Sequence, residues 1–289
     1  MINDYRCFFC FNRAFEKLLK REKLSSEQAL SFTHEMVQFY MENQEEYSTP
    51  QLARELHLRF KKYNNQEDPY RTEKKQSNDV ILNQYQKFKA QVESSEDPFN
   101  TALRLAIAGN IIDAAVSETY RLDETIDHVL NSDFAIDHSN QLKSAIQKAQ
   151  TVLYLGDNNG EIVLDKLFIE TIHHPNLVYA VRDQPIINDA TMSDAHYVGM
   201  TPLVPVISNG YDAPSTILEQ CSDEFLRLYN QADVIISKGQ GNLEGLLESG
   251  NEKIFFLLMV KCDVIAKKLG VSKGDFVVTR YFNPETLEK

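Results

Sequence analysis

A chain of 289 residues with 43% hydrophobic and 10% aromatic content has apolar material for one large domain or two smaller ones. Its 30 Lys and Arg against 42 Asp and Glu leave a net charge of −12, which argues against a general binder of phosphate backbones, so nucleic acid is not an expected partner. The opening residues lead into no signal-like segment and the longest apolar run, Ile254 to Val260, is too short to cross a bilayer; a cytoplasmic protein with no membrane partner is expected.

From Cys7 to about Gln150 the pattern is a succession of helices with almost no strand-like alternation. Phe11, Phe15, Leu18 and Leu19 share one face. Ala29, Phe32, Met36, Phe39 and Tyr40 share another, after Ser25-Ser26-Glu27 as a start signal. Pro50 opens a third helix through Leu52, Leu56 and Phe60, and the run from Asn64 to Pro69 breaks it before a further helix through Ile81, Tyr85 and Phe88. Asp97-Pro98 opens an apolar helix that Gly109-Asn110 is expected to stop, followed by Ile111-Ile112-Asp113.

After Gln150 short apolar strands alternate with helices, the βαβ rhythm of a parallel sheet. Strands are expected at 152–155, 177–182, 204–207, 233–237, 253–259 and 276–279, and helices at 161–173, 189–195, 215–230, 242–249 and 262–270. The expected organisation is a helical part over residues 1–150 and an α/β domain over 151–289.

The stretch Thr151 to Asp165 reads as strand, turn and helix, with Gly156, Asp157, Asn158, Asn159, Gly160 and Glu161 at the turn. Such a turn lies where open α/β sheets place ligands, although Asp157 or Asn158 could equally serve as a plain helix cap. Other strands also end in polar or small residues: Arg182 before Asn188-Asp189-Ala-Thr191, then Ser208-Asn209-Gly210, then Ser237-Lys238-Gly239-Gln240-Gly241-Asn242. In a parallel sheet these ends share one edge. Oxygens of Asp157, Asn158 and Asp189 are hard ligands suited to Mg²⁺ or Mn²⁺, Lys238 supplies countercharge, and the glycine-bounded loop Gly239–Gly241 and the turn at Asn159-Gly160 leave amides open to an anion.

The segments Gly-Asp-Asn-Asn-Gly-Glu (156–161), Pro-Ile-Ile-Asn-Asp-Ala-Thr (185–191), Ser-Lys-Gly-Gln-Gly-Asn (237–242) and Lys-Cys-Asp-Val-Ile-Ala (261–266), taken in order, resemble the damage-control metal phosphatases. That family was long catalogued as a domain of unknown function and includes the protein once named acidic-residue methyltransferase. Cys7-Phe-Phe-Cys10 and Gly109-Asn110-Ile-Ile-Asp113 resemble its small prokaryotic branch. The resemblance implies a three-layer α/β/α sandwich with a mostly parallel sheet behind a helical N-terminal part. It also implies hydrolysis of small phosphate esters, sugar phosphates or damaged phosphometabolites, with Mg²⁺, Mn²⁺, Co²⁺ or Ni²⁺ as cofactor. Asp157, Asn158 and Asp189 are the implied metal ligands, with Asp189 preceded by Asn188 where eukaryotic members have Ser. Lys238 is the implied phosphate-binding lysine, and Asn110 and Asp113 are a polar pair facing the site.

Substrate contacts are accordingly expected from Asn110, Asp113, Asn159, Gly160, Glu161, Arg182, Ser208, Asn209, Lys238, Gly239 and Asn242, and catalysis from Asp157, Asp189 and Lys238. Attack by water at phosphorus is favoured over a phosphoaspartate at Asp157, because no second acid follows two positions later. Rival readings are a carboxyl methyltransferase using S-adenosylmethionine and a phosphometabolite-binding protein without turnover. Cys7 and Cys10 read as structural or incidental, with a redox pair, or half of a zinc site that His34 or His57 would complete, as the alternative. Cys262 opens a helix after Lys261 and reads as a small buried hydrophobe. Glu161 and Asp165, one turn apart, are either supporting acids of the site or a solvated helix face.

Overall fold

A computed structural model describes residues 4–112 and 119–280, and their side chains except for those of 110–112, 119–123 and 125. The N-terminal start signals act as read. Helix α1 (Tyr5–Glu22) is capped by Asp4, and α2 (Ser26–Asn43) begins in a reciprocal capping box between Ser25 and Gln28. Helix α3 (Thr49–Asn64) carries Pro50 in its first turn, where a missing N–H costs nothing. The apolar stripes of the three enclose Phe15, Phe32, Leu56 and Phe60 in a core of their own, with Phe32 5.2 Å from both the Phe15 and the Phe60 ring.

The remaining elements build a sandwich. Helices α4 (Arg71–Leu82), α5 (Tyr85–Glu93), α6 (Pro98–Ile112) and α7 (Thr119–Asn131) precede strand β1 (Phe134–Asp137) and α8 (Ser139–Lys148). Then come β2 (Val152–Leu155), α9 (Glu161–Ile172), β3 (Leu177–Val181), α10 (Met192–Tyr197), β4 (Val206–Ser208), α11 (Asp223–Gln231) and β5 (Val234–Lys238). The described chain ends with α12 (Gly239–Leu246), β6 (Ile254–Met259), α13 (Asp263–Leu269) and β7 (Phe276–Arg280). Among the described residues the sheet has seven strands in the order β1-β7-β6-β5-β2-β3-β4. Strands β6, β5, β2, β3 and β4 run parallel; β7 is antiparallel to β6 and β1 parallel to β7.

Alternation along each strand sends residues to two apolar layers. Tyr154, Ile236 and Leu257 meet Ile81, Phe88, Leu103 and Phe168 from the helices preceding β5, while Leu153, Ile235 and Phe256 meet Phe225, Leu243 and Ile265 from α11, α12 and α13. This is the expected three-layer α/β/α arrangement with a mostly parallel sheet behind a helical part.

Several boundaries differ from the reading of the sequence. Strand β1 and α8 come from the region read as helical, because Phe134 and Ile136 give too short a run to register as alternation. Gly109 does not end its helix: α6 runs on to Ile112 because this glycine is where α6 presses on α9, and a Cβ there would lie 2.7 Å from the Glu161 Cα. The helix expected over 189–195 starts only at Met192, after Thr191 forms a capping box with Asp194. The helix expected over 215–230 resolves into a short 3₁₀ turn, Leu218–Gln220, and α11, leaving Ser215 and Thr216 to reach the sheet edge. The helix expected from residue 242 starts at Gly239, so Gly239–Gly241 form its first turn rather than a loop.

Replacing Gly109 with alanine gains up to about 1 kcal/mol of helix propensity but forces two backbones apart, so a net loss of about 1–2 kcal/mol is expected. Urea denaturation of Gly109→Ala beside the parent chain measures it.

Candidate active site

The site is made where two strand ends are stitched together. Strand β2 ends under Tyr179, whose hydroxyl occupies the space a Cβ on Gly156 would need. The chain then turns through Asp157, Asn158 and Asn159 to Gly160, the N-cap of α9, whose φ of 78° is one that glycine adopts without strain. Neither Asp157 nor Asn158 is therefore the cap. Against this turn lies the segment after β3: the Asn159 amide donates to the Asn188 carbonyl (2.9 Å), the Ala190 amide to the Asp157 carbonyl (2.8 Å), and a bridge of antiparallel type joins Asn158 to Asp189. Asp157, Asn158 and Asp189 thus meet at the carboxyl edge of the parallel strands, only 6%, 6% and 3% exposed.

Arg182 binds this pair of acids together. Its Nε donates to Asp189 Oδ2 (2.8 Å), its Nη2 lies 3.7 Å from Asp157 Oδ1 and donates to Asn242 Oδ1 (3.0 Å), and its Nη1 donates to Thr216 Oγ1 (3.3 Å). One guanidinium does not neutralise two buried carboxylates. Burial, with the Asp189 charge second, pushes the Asp157 carboxyl up to about 7, although Lys261, Arg182 and Lys238 oppose the rise. Burial likewise raises Asp189 against the pull of Arg182.

Beneath this pair lies a second buried group. Lys238, fully enclosed at the end of β5, donates to Glu161 Oε1 (2.5 Å), Asp165 Oδ1 (2.5 Å) and the Ala106 carbonyl (2.8 Å). Asp165 also accepts from the hydroxyls of Tyr154 (2.7 Å) and Tyr179 (2.9 Å). Burial pushes the Glu161 carboxyl up to about 8; Lys238 opposes this, while Asp157 and Asp165 reinforce it. The Asn158 amide nitrogen joins the two groups, donating to Asp157 Oδ2 (2.8 Å) and reaching Glu161 Oε2 at 3.4 Å.

Counted in their ionised forms, Asp157, Asp189, Glu161 and Asp165 face Arg182 and Lys238, four negative charges against two positive, all enclosed. Two carboxylates and an amide at one point, with that excess of negative charge, fit a hard divalent cation. Among the described residues no three His, Cys, Asp or Glu side chains form a metal cluster, so the donor set rests on the Asn158 amide as well as on Asp157 and Asp189.

The other residues singled out in the sequence fall into distinct places. Lys238 does not present its ammonium to the crevice: all three of its N–H bonds are taken, by Glu161, Asp165 and the Ala106 carbonyl, which leaves none for the direct phosphate contact expected of it. Glu161 and Asp165 are buried acids, not a solvated face. Asn242 is equally committed, its amide nitrogen donating to the carbonyls of Gly156 and Lys238 and its oxygen accepting from Arg182 and Thr216, so that it orients Arg182. Asn159 and Gly160 are held from behind by Asn78, and Gly239 packs directly on the Asp157 carboxylate.

Ser208 and Asn209 end the edge strand β4 in local bonds: Ser208 donates to Asp183 (2.8 Å) and Asn209 Oδ1 accepts from the Tyr211 amide (3.0 Å). Asn110 lies in α6 with its side chain outside the described residues, and Asp113 lies outside them altogether.

Cys7 lies in α1 where its thiol meets the Thr49 hydroxyl, and burial raises its pKa; Cys10, one turn on, is exposed. His57 is enclosed against Phe15 and Tyr70, with burial pushing it down to about 3, and His34 is on the exposed side of α2. Cys262 is half-buried at the start of α13, its sulfur accepting from the Gln240 amide.

Two contributors were not assigned roles from the sequence. Asn78 is buried on α4 in a stretch that reads as an ordinary polar helix face. Lys261, exposed after β6, exerts its charge on both Asp157 and Asp189 while its backbone amide donates to Gln240 Oε1 (2.9 Å). Its place at a strand end, beside those already noted, is the signal that points to it.

An α/β/α sandwich with acids and amides converging at the carboxyl ends of parallel strands defines a ligand-crevice protein of the open-sheet class. The profile of the damage-control phosphatase ARMT1-like domain matches residues 4–277, and the chain belongs to that family of phosphatases. A damage-control phosphatase of Pyrococcus horikoshii is 40% identical over 186 residues, 63% of this chain and 65% of that protein. One from Archaeoglobus fulgidus is 33% identical over 233 residues, 78% of this chain and 80% of its own. The crystal structure of a DUF89 family protein from Pyrococcus horikoshii superposes with a TM-score of 0.89 at 30% identity, covering 98% of this chain and all (100%) of that one.

The folded-state value of Asp157, about 7 against an ordinary 3.8, means that this group favours the fold at low pH and that its contribution is lost as pH rises through about 7. In chelator, the melting temperature should therefore fall between pH 5 and pH 8. Asp157→Asn should flatten that fall and stabilise the protein at pH 8 by about 1–3 kcal/mol. Lys238→Met, which strands two buried carboxylates, should by contrast cost about 3–5 kcal/mol at neutral pH, measured by urea denaturation.

Proposed function

We propose that the chain is a divalent-cation-dependent phosphomonoesterase acting on small phosphorylated metabolites, sugar phosphates or damaged relatives of them. The observation that carries this reading is the meeting of the Asp157 and Asp189 carboxylates, delivered from two successive strand ends and left short of positive charge. Asp157, Asn158 and Asp189 would hold the cation. Bound there, it would supply a Lewis acid for a phosphoryl oxygen and a template for the ester.

The chain's own residues supply the remaining functions. Arg182 fixes both carboxylates in place, and the low exposure of the three donors suits a small phosphoester better than a polymer. The first-turn amides of α12, which lack helical partners, and the exposed ammonium of Lys261 offer positive potential for the phosphate. Water is the attacking group in this reading. Asp157 is poorly placed to attack phosphorus itself, since one oxygen accepts from Asn158 and packs on Gly239 while the other faces Arg182.

Phosphate release from a panel of sugar phosphates and phosphorylated cofactors, run separately with Mg²⁺, Mn²⁺, Co²⁺ and Ni²⁺, tests this. Activity should vanish in chelator, return on adding a cation, and drop at least about 100-fold in Asp157→Ala. Lys261→Ala should raise KM for the phosphoester about tenfold with stability within about 0.5 kcal/mol of the parent. Release that persists undiminished in chelator would sink the proposal.

A further inference from the structure

Helix α4 lies outside the sheet and carries none of the site's donors, yet it grips both of the turns that do. Asn78, with no exposed surface, donates from Nδ2 to Asn159 Oδ1 (2.7 Å) and accepts at Oδ1 from the Gly160 amide (2.7 Å). This sets the Asn159 amide. With its oxygen turned to Asn78, its nitrogen faces the second turn and donates to the carbonyls of Asn188 (3.0 Å) and Asp189 (3.1 Å). A relay of two side-chain amides thus runs from α4 through the turn after β2 to the turn after β3.

The fit is close, because a Cβ on Gly160 would lie 3.2 Å from the Ser77 Cβ. One turn earlier on α4, the buried ammonium of Lys74 pairs with Asp194 (3.2 Å), the residue that closes the capping box of Thr191 just after Asp189. Helix α4 therefore fixes the first turn through Asn78 and the second through Lys74.

We propose that Asn78 is a positioning residue for the cation site: it holds Asp157 and Asn158 in register with Asp189 by orienting Asn159, and so sets cation affinity from outside the donor set. The proposal rests on the cation-dependent reading above. Both groups of an amide are needed. A carboxylate in its place would still accept from the Gly160 amide but would set an oxygen against Asn159 Oδ1, which would have to turn its own amide and give up the Asn188 and Asp189 carbonyls.

The test is Mn²⁺ binding to the parent chain, Asn78→Ala, Asn78→Asp and, as a control on the same helix, Ile81→Val, followed by electron paramagnetic resonance of free Mn²⁺ and by calorimetry. Both Asn78 variants should bind Mn²⁺ about 10–100-fold more weakly than the parent. Their phosphatase activity should return toward the parental kcat as Mn²⁺ is raised. Ile81→Val, a buried change that touches neither turn, should lower the melting temperature without moving Mn²⁺ affinity. Should Asn78→Ala fail to fold, the isosteric Asn78→Asp decides alone. Parental Mn²⁺ affinity, within twofold, in a folded Asn78 variant overturns the positioning role while leaving the cation site standing. A parent chain that binds no divalent cation overturns both.

Discussion

The arrangement depends on one ammonium shut between two carboxylates. Lys238 has no solvent to fall back on, so its three donors must all be met, and they are met by α9 twice and by α6 once. That requirement locks β5, α9 and α6 at fixed distances and places Glu161 directly under Asn158. Buried ion pairs are seldom superior in stability to a well-packed apolar substitute. This one gives the site geometry: it keeps an acid facing the nitrogen of the Asn158 amide.

Around that lock the chain tolerates a local conflict. Asp157 and Asp189 are brought together by backbone bonds between two turns, and Arg182 answers only part of their charge. A fold selected for stability alone would place neither acid there. Such opposition between local charge and global packing concentrates at functional sites. The surrounding structure over-determines the position, with Gly239 against one oxygen, Arg182 near the other, and Asn242 and Thr216 holding Arg182 in turn.

What was legible in the sequence was whatever depends on short-range pattern. The six strands expected after residue 150 correspond to β2 through β7, and the capping signals at Ser25 and Pro50 do what their chemistry requires. That Asp157, Asn158 and Asp189 share one edge of the sheet followed from strand direction, since parallel strands deliver their ends to one edge; the backbone bonds that pair their two turns did not. Long-range relations were not legible. Gly109 reads as a stop locally, and only the approach of α9 explains a glycine inside a continuing helix. Lys238 and Lys261 each follow a strand and look alike in sequence; which is enclosed and which is exposed depends on partners 73 and 77 residues from Lys238. Asn78 sits in a polar helix whose role appears only when Asn159 arrives 81 residues later.

The separateness of the apolar core within α1, α2 and α3 has a consequence for how this molecule opens and how it tolerates change. None of its buried residues belongs to either layer of the sandwich, and α3 is tied across to the sheet edge by polar links, Arg54 to Asp212 and Lys61 to the Pro185 carbonyl. Cooperative units divided in this way can exchange with solvent on different free-energy scales. Loosening the three-helix unit then calls for parting these half-buried links and the packing of α3 on α12, while the sheet keeps a core of its own.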